Sequence, residues 1–318
     1  MSDARTAPAD GWLTLGPVEL AGLFGGTPEQ VAEWCASELT RFDLACRVLE
    51  GEDRDARILE ALKRLDRAAV SAAGVGRQQD WEAGWSENLR EFLQSNDFDA
   101  LVPKYIRPGE PIRLLGGYAR PRDPWFVRNY TKTFRAWLTR RFLTGATALY
   151  EFGCGSCSHV AYLAGSNPGT PVFGFDWTAA SGRIIEALAV RTGWPVAGGR
   201  FDFFAPDPTV SLRPGAAVLT FGALEQVGGD FQPFLDFLLA AGPARCVHVE
   251  GLEELYDDSR LLDGLALRYH RQRNYLSGFL TRLRALEAEG RIVLEQVHRH
   301  HFGTRFDDTF SYVVWRPV

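Results

Sequence analysis

Apolar residues recur at helical spacing through the first third of the chain. Val31, Trp34, Cys35, Leu39, Phe42 and Leu44 predict a helix from residue 28 to about 50. Thr27 stands before it as an N-cap, with Pro28 at the first helical position and Gln30 at capping-box distance. Ile58, Leu59, Leu62 and Leu65 form the stripe of a second helix over about 53–73, and a third is expected around 81–93. The first hundred residues therefore read as a small helical unit behind a loose Gly-, Pro- and Ala-rich lead-in, 1–26. Residues 101–125 hold five prolines and three glycines and predict a connector with little regular helix. A further helix is expected over about 126–143.

From residue 148 the pattern changes. Short apolar runs (ALYEF, PVFGFD, AAVLTFG, RCVHVE, RIVLEQV, FSYVVW) alternate with helical stretches. That alternation predicts an α/β class with a parallel, doubly wound sheet. The expected organisation is a lead-in (1–26), a helical cap with its basic connector (27–144) and a ligand-binding domain (145–318).

Composition narrows the function classes. The chain has 318 residues, 46% of them apolar and 24% charged, enough for a sizeable core. Its net charge of −5 argues against general nucleic-acid binding, which needs a basic surface. No apolar run reaches the roughly 20 residues of a spanning helix, and the first twelve residues have no signal-peptide h-region. Five scattered cysteines point to reduced thiols and a cytoplasmic setting. Cys154 and Cys157 are spaced C-x-x-C, but no second pair completes a zinc site, so no metal is expected there.

The most informative stretch is Leu149-Tyr-Glu151-Phe-Gly153-Cys-Gly155-Ser-Cys157-Ser-His159. An apolar strand runs into a tight glycine turn, and a helix starts near Ser158. Glycines allow positive φ and bring a ligand against backbone, while the helix N-terminus offers free amides. About twenty residues on, the strand Val172-Phe-Gly-Phe-Asp176 ends in a carboxylate placed to accept from ribose hydroxyls. Asp202, followed by Phe203 and Phe204, suits the edge and face of an adenine.

On these motifs residues 145–318 resemble a class I S-adenosylmethionine-dependent methyltransferase, whose cofactor site begins with an acid followed by x-G-x-G-x-G. Here Cys157 occupies the third glycine position. The resemblance implies a seven-stranded, mostly parallel, Rossmann-like sheet with S-adenosylmethionine as cofactor. It makes Glu151 a cofactor-binding residue at the head of the motif, and places Gly153 and Gly155 at the methionine part, Asp176 at the ribose, and Asp202 with Phe203 at the adenine. The run from Ala216 to Val227 is similar to the family's fourth-strand loop. It brings Thr220 and Phe221 near the sulfonium and Glu225 and Gln226 to the acceptor side. The order strand (291–297), loop (299–308), strand (310–315) resembles the reversed hairpin closing such sheets. A dinucleotide dehydrogenase would need glycine where Ser158 stands; a non-catalytic cofactor-binding module is the other rival.

Methyl transfer is a displacement that depends on positioning, and an oxygen acceptor also needs a base. The expected candidates are His248 and Glu250, two apart at the end of the fifth strand, and His270 on a later helix. His298, His300 and His301 lack a matched carboxylate pattern for metal. Between Lys104 and Arg141 lie ten basic residues against Glu110 and Asp123, a local excess of +8. Two readings stand: this patch binds an anionic acceptor through Tyr105, Arg107 and Tyr118, or it docks on the chain's own acids. The expected partner is a small polar, anionic metabolite, with O-methylation the leading outcome and membrane or nucleic acid disfavoured. Oligomeric state is not legible.

Overall fold

A computed structural model of the chain describes residues 11–67, 71–95 and 97–318. The expected lead-in is ordered where it is described: β1 (Leu13–Thr14) leads into α1 (Pro17–Phe24), whose Leu20 and Phe24 are fully buried. Residues 1–10, and with them the leader-free reading of the N-terminus, lie outside the described residues. The helix predicted from residue 28 is capped by Thr27 and Gln30 as expected, but it is two short helices, α2 (Pro28–Trp34) and α3 (Ala36–Arg41). It stops before 50. Asp43 accepts from the Ala45 N–H at 3.0 Å, and the chain turns into β2 (Ala45–Leu49). The apolar spacing there suits either element, and sheet pairing decides.

The second and third helices are α4 (Gly51–Arg67) and α5 (Gln78–Ser95). Residues 68–70, inside the predicted second helix, lie outside the described residues, and 71–73 are not helical. The proline-rich connector has no α-helix, as expected, and it also carries a hairpin that the sequence reading did not include, β3 (Ile112–Leu114) and β4 (Gly117–Pro121). Leu115 and Gly116 join the strands with φ of 53° and 78°, a two-residue turn whose twist matches paired strands. The next helix, α6 (Phe126–Leu138), ends in one wider turn over Thr139–Leu143.

The second half follows the predicted alternation. Its strands are β5 (Leu149–Phe152), β6 (Val172–Asp176), β7 (Val196–Arg200), β8 (Ala217–Phe221), β9 (Arg245–Val249), β10 (Ile292–His298), β11 (Phe302–Gly303) and β12 (Tyr312–Pro317). Its helices are α7 (Ser158–Ser166), α8 (Ala179–Thr192), α9 (Gln232–Ala241), α10 (Leu261–Arg273) and α11 (Phe279–Ala288). One sheet has the order β10-β12-β9-β8-β5-β6-β7, parallel except for β12, which runs antiparallel to both neighbours. This is the seven-stranded, doubly wound sheet, with its reversed last hairpin, that the class I methyltransferase resemblance implies.

Both faces of the sheet are covered. Leu149 and Leu219 pack with Val160 of α7 and Ile184 of α8, while Tyr150, Phe152 and Val218 pack with Phe234 of α9 and Phe279 of α11. The N-terminal residues Phe24, Phe134 and Trp137 belong to the first of these cores. A second, antiparallel sheet, β1-β2-β4-β3-β11, was not anticipated from the sequence. Its last strand is contributed by the loop between β10 and β12: Phe302 and Gly303 pair with Leu114 and Arg113. Among the described residues no helix is long and apolar enough to cross a membrane.

Candidate active site

At β5 the connections diverge: β6 lies on one side, β8 on the other, and their helices go to opposite faces. Such a switch point opens a crevice at the carboxyl ends of the strands. A cavity of about 900 Å³ occupies it. Glu151, Gly153, Gly155, Asp176, Asp202, Phe203, Phe221, Glu225, Gln226, Tyr105 and Arg107 all line its wall.

The glycine loop has the conformation its residues predict. Gly153 and Gly155 have φ of 73° and 51°. A Cβ at Gly153 would lie 2.3 Å from the Ala223 methyl, and one at Gly155 would lie 2.8 Å from the indole of Trp85. The glycines thus clear room for protein as well as for ligand. Cys157 also adopts the left-handed region, φ 60° and ψ 21°, which explains why the family pattern has glycine there. Its Sγ lies 3.8 Å from that of Cys154, both buried free thiols.

Asp176 is buried at the end of β6 and fixed on both oxygens. Gly155 N–H donates to Oδ2 at 3.0 Å, while Thr178 donates to Oδ1 through its N–H at 2.9 Å and its Oγ1 at 2.7 Å. Burial raises its pKa and these hydrogen bonds oppose the rise. Asp202 accepts from the Phe204 N–H at 2.9 Å, which presents Phe203 and Phe204 to the cavity opposite Trp177.

Glu151, the penultimate residue of β5, has Oε2 buried and unpartnered, and burial pushes its pKa well up. Facing it from α6 is Arg135, also buried, whose guanidinium stacks 4.0 Å above the Tyr162 ring. His159 lines the cavity beside them and stacks on Phe221 at 4.3 Å. Its Nδ1 has no partner, and burial holds the ring neutral. Sequence reasoning missed Arg135, His159 and Trp85; only the position of His159, directly after the glycine loop, offered a signal.

The expected base candidates need correction. His248 is fully buried inside the sheet between Phe279 and Trp315, where Thr220 Oγ1 meets its Nδ1 at 2.9 Å. Burial drives its pKa down to about 3. Thr220 is turned toward His248, so both side chains lie off the cavity wall. Glu250 is equally buried. Its carboxylate accepts the backbone N–H groups of Ala223, Leu224 and Glu225 at 3.1–3.3 Å, fixing the loop after β8, and burial raises its pKa to about 7. His270 sits one layer back, its Nε2 3.0 Å from Asp307 Oδ2. It is Asp307, a residue not singled out beforehand, that reaches the cavity, with Thr304 Oγ1 donating to its other oxygen at 2.7 Å. Tyr118 is a structural residue too, buried with its hydroxyl donating to the Arg305 carbonyl at 2.6 Å.

Much of the basic connector is neutralised within the chain. Lys104 pairs with Glu91, Arg113 with Asp308, Arg122 with Asp43, and Arg128 and Lys132 with Asp99. Arg107 lies exposed at the cavity, and among the described residues no acid pairs with it. Tyr105 is exposed into the same space, edge-on to the stacked rings of Trp81 and Trp85. Opposite stand Glu225, Tyr269, Arg273 and Tyr275. Burial, with Glu250 and Asp307 nearby, pushes the Glu225 carboxyl well above the ordinary range. His298, His300 and His301 do not converge: they bind the Leu23 carbonyl, the Tyr130 hydroxyl and Asp308 separately.

No family model matches the chain. No curated protein matches it in sequence. Solved structures do. The chain is similar to the magnesium protoporphyrin IX methyltransferase of Synechocystis PCC 6803 with bound SAH: 13% identity, 60% of this chain against 84% of that one, TM-score 0.45. It is similar to the O-methyltransferase NcsB1 of neocarzinostatin biosynthesis, solved with S-adenosylmethionine and 2-hydroxy-5-methyl naphthoic acid, at 15% identity over 95% of both chains, TM-score 0.40. The methyltransferase domain of bacterial CtHen1 matches at 15% identity over 59% of this chain and 97% of its own, TM-score 0.42.

Proposed function

We propose that the protein is an S-adenosylmethionine-dependent methyltransferase that methylates an oxygen of a small, polar, anionic acceptor. The observation that carries this reading is the Asp176 carboxylate, pinned by Gly155 and Thr178 at the end of β6 and lining the switch-point cavity. The residues present fit the donor. Three of the roughly four acceptor sites of Asp176 are filled from within, which leaves capacity for a hydroxyl. The orphaned Oε2 of Glu151 is an acceptor awaiting a donor inside the cavity. A space of about 900 Å³ accommodates a nucleoside-bearing donor together with a small acceptor.

The bound donor supplies a methyl group on a cationic sulfur. The protein's own part is positioning and proton handling. Asp176 orients the ribose, and Asp202 with Phe203 orients the adenine. Tyr105, Trp81 and Trp85 form an aromatic wall for the acceptor, and Arg107 meets its negative charge. Asp307, steadied by His270 and Thr304, receives the acceptor's proton. Five unpaired thiols and the acidic net charge support a cytoplasmic protein that acts on a metabolite rather than on nucleic acid.

Calorimetry with S-adenosylhomocysteine and with NAD tests the donor. Saturable heat with the first and none with the second is expected. The reverse selects an oxidoreductase, and binding without turnover of any hydroxylated anion selects a non-catalytic module.

A further inference from the structure

Arg273 is the last residue of α10. Asn274 ends the helix in the left-handed region, φ 50°, and folds the chain back so that the Tyr275 N–H donates to the His270 carbonyl at 3.0 Å. One turn of backbone thus fixes Arg273, Tyr275 and the histidine that steadies Asp307. Arg273 and Tyr275 line the cavity together with Tyr269, Phe306 and Asp307. The Arg273 guanidinium lies 5.0 Å from the centre of the Tyr275 ring, and its Nη1 donates to the Ser71 carbonyl. Its Nε is buried without a partner, and among the described residues no carboxylate forms an ion pair with it. Glu225 is the acid whose charge reaches it, but burial, with Glu250 and Asp307 nearby, pushes the Glu225 carboxyl toward its neutral form. A cation enclosed in this way calls for an anion from outside the chain. With Asp307 and Glu250 so close, a doubly charged phosphate is repelled, whereas a singly charged carboxylate matches the guanidinium fork.

The surroundings are rings. Tyr275 is edge-on to Tyr269 at 5.6 Å, and Tyr269 stacks on Phe306 at 4.6 Å. Tyr105 stands across from them on the cap, and Glu225 is near enough to act on the hydroxyls of Tyr105, Tyr269 and Tyr275 alike. Such walls favour a flat ring. Gln226 Oε1, buried without a partner, is a free acceptor for a hydroxyl.

We propose that the methyl acceptor is an aromatic hydroxy acid, its carboxylate held by Arg273, its ring laid against Tyr269 and Tyr275, and its hydroxyl turned toward Asp307. The inference rests on the methyltransferase reading above and deepens it by naming the class of acceptor. It also divides the labour of two cavity arginines. Arg107 is exposed and meets the anion at the mouth; Arg273 is half-buried and holds it inside.

The test is calorimetry on the full chain saturated with S-adenosylhomocysteine. The probes are the hydroxybenzoate isomers, phenol, glucuronate and hydroxyphenyl phosphate. At least one hydroxybenzoate is expected to bind about tenfold or more tighter than phenol, which lacks the carboxylate, and than glucuronate, which lacks the flat ring. Arg273→Gln should weaken that hydroxybenzoate by about tenfold or more and keep the loss at high salt, with Arg273→Lys between; the loss at Arg107→Ala should fade as salt rises. Equal losses for hydroxybenzoate and phenol would mean that Arg273 only holds α10 to Ser71, and would overturn the proposal. Tighter binding of glucuronate or of hydroxyphenyl phosphate would overturn it too. Should the variants fail to fold, the ranking of probes by the wild-type protein decides the matter. Binding of S-adenosylhomocysteine with no response to any hydroxybenzoate sinks this inference alone. Failure to bind S-adenosylhomocysteine sinks the donor reading itself.

Discussion

The indole of Trp85, on α5, lies against the α-carbon of Gly155, so close that a methyl there would sit 2.8 Å from Cζ2. The first hundred residues and the glycine loop are thus in direct contact at the centre of the site. Gly155→Ala should destabilise the protein by about 2–4 kcal/mol, combining left-handed strain with overpacking. Denaturant unfolding checks this. Adding Trp85→Ala should recover part of the loss, because the clash is then gone; strictly additive costs would refute the contact.

Asp176→Asn keeps the shape of the side chain but turns an amide group toward the Gly155 or Thr178 donors. Binding of S-adenosylhomocysteine should fall tenfold or more, with a stability loss of about 1–3 kcal/mol. Calorimetry beside a melting curve separates the two effects.

His248 tests whether burial, and not catalysis, explains a histidine at a strand end. Its folded pKa of about 3 lies below the unfolded value near 6.5, so the unfolded state binds the extra proton between them. The histidine's contribution to stability is full above pH 6.5 and is lost as pH falls toward 3, at up to about 1.4 kcal/mol per pH unit. Glu250, raised to about 7 from 4.5, opposes this between pH 4.5 and 6.5, because there the folded state holds the proton. The comparison is therefore wild type against His248→Gln across pH. The difference should carry the histidine slope, and the variant should retain its turnover profile.

Asp307→Asn should lower kcat by about a hundredfold or more while leaving binding of S-adenosylhomocysteine unchanged. His270→Gln, acting through Asp307, should have a smaller effect on kcat and shift the pH–rate profile. If Asp307→Asn keeps full kcat, the proton goes elsewhere.

Arg107→Ala should raise KM for an anionic acceptor about tenfold with little change in kcat, and the effect should shrink as salt is added. Arg122→Ala, which removes the partner of Asp43, should leave KM unchanged.

The sheet was legible because a parallel strand buried on both faces is a mostly apolar run, as at Leu149–Phe152 and Ala217–Phe221, which hold one polar residue each. The donor side was legible because glycine at positive φ and an acid at a strand end are local requirements, met by Gly153, Gly155 and Asp176. The antiparallel sheet was not. Its strands are two to five residues long, and outside the β3–β4 hairpin their pairing partners lie far apart in sequence. His248 and Glu250 share a strand face, but sequence could not say that the face is closed by Phe279 and Trp315. Asp307 escaped notice because nothing in its neighbourhood marks it, and Arg135 was legible only as one of ten basic residues in the connector; both reach the cavity through tertiary packing. The basic connector posed a choice that only geometry resolves: Arg113, Arg122 and Lys132 have acids of their own, and among the described residues Arg107 has none.

The strand formed by Phe302 and Gly303 has a mechanical corollary. It leaves the last hairpin of one sheet and is sewn into the edge of the other through Leu114 and Arg113. The two sheets are therefore stitched by the same stretch of backbone that carries Asp307, and they cannot part like the jaws of a clamp without unzipping that seam. The irregular stretch between Leu101 and Ile112, whose Tyr105 and Arg107 line the chamber, is no part of that seam.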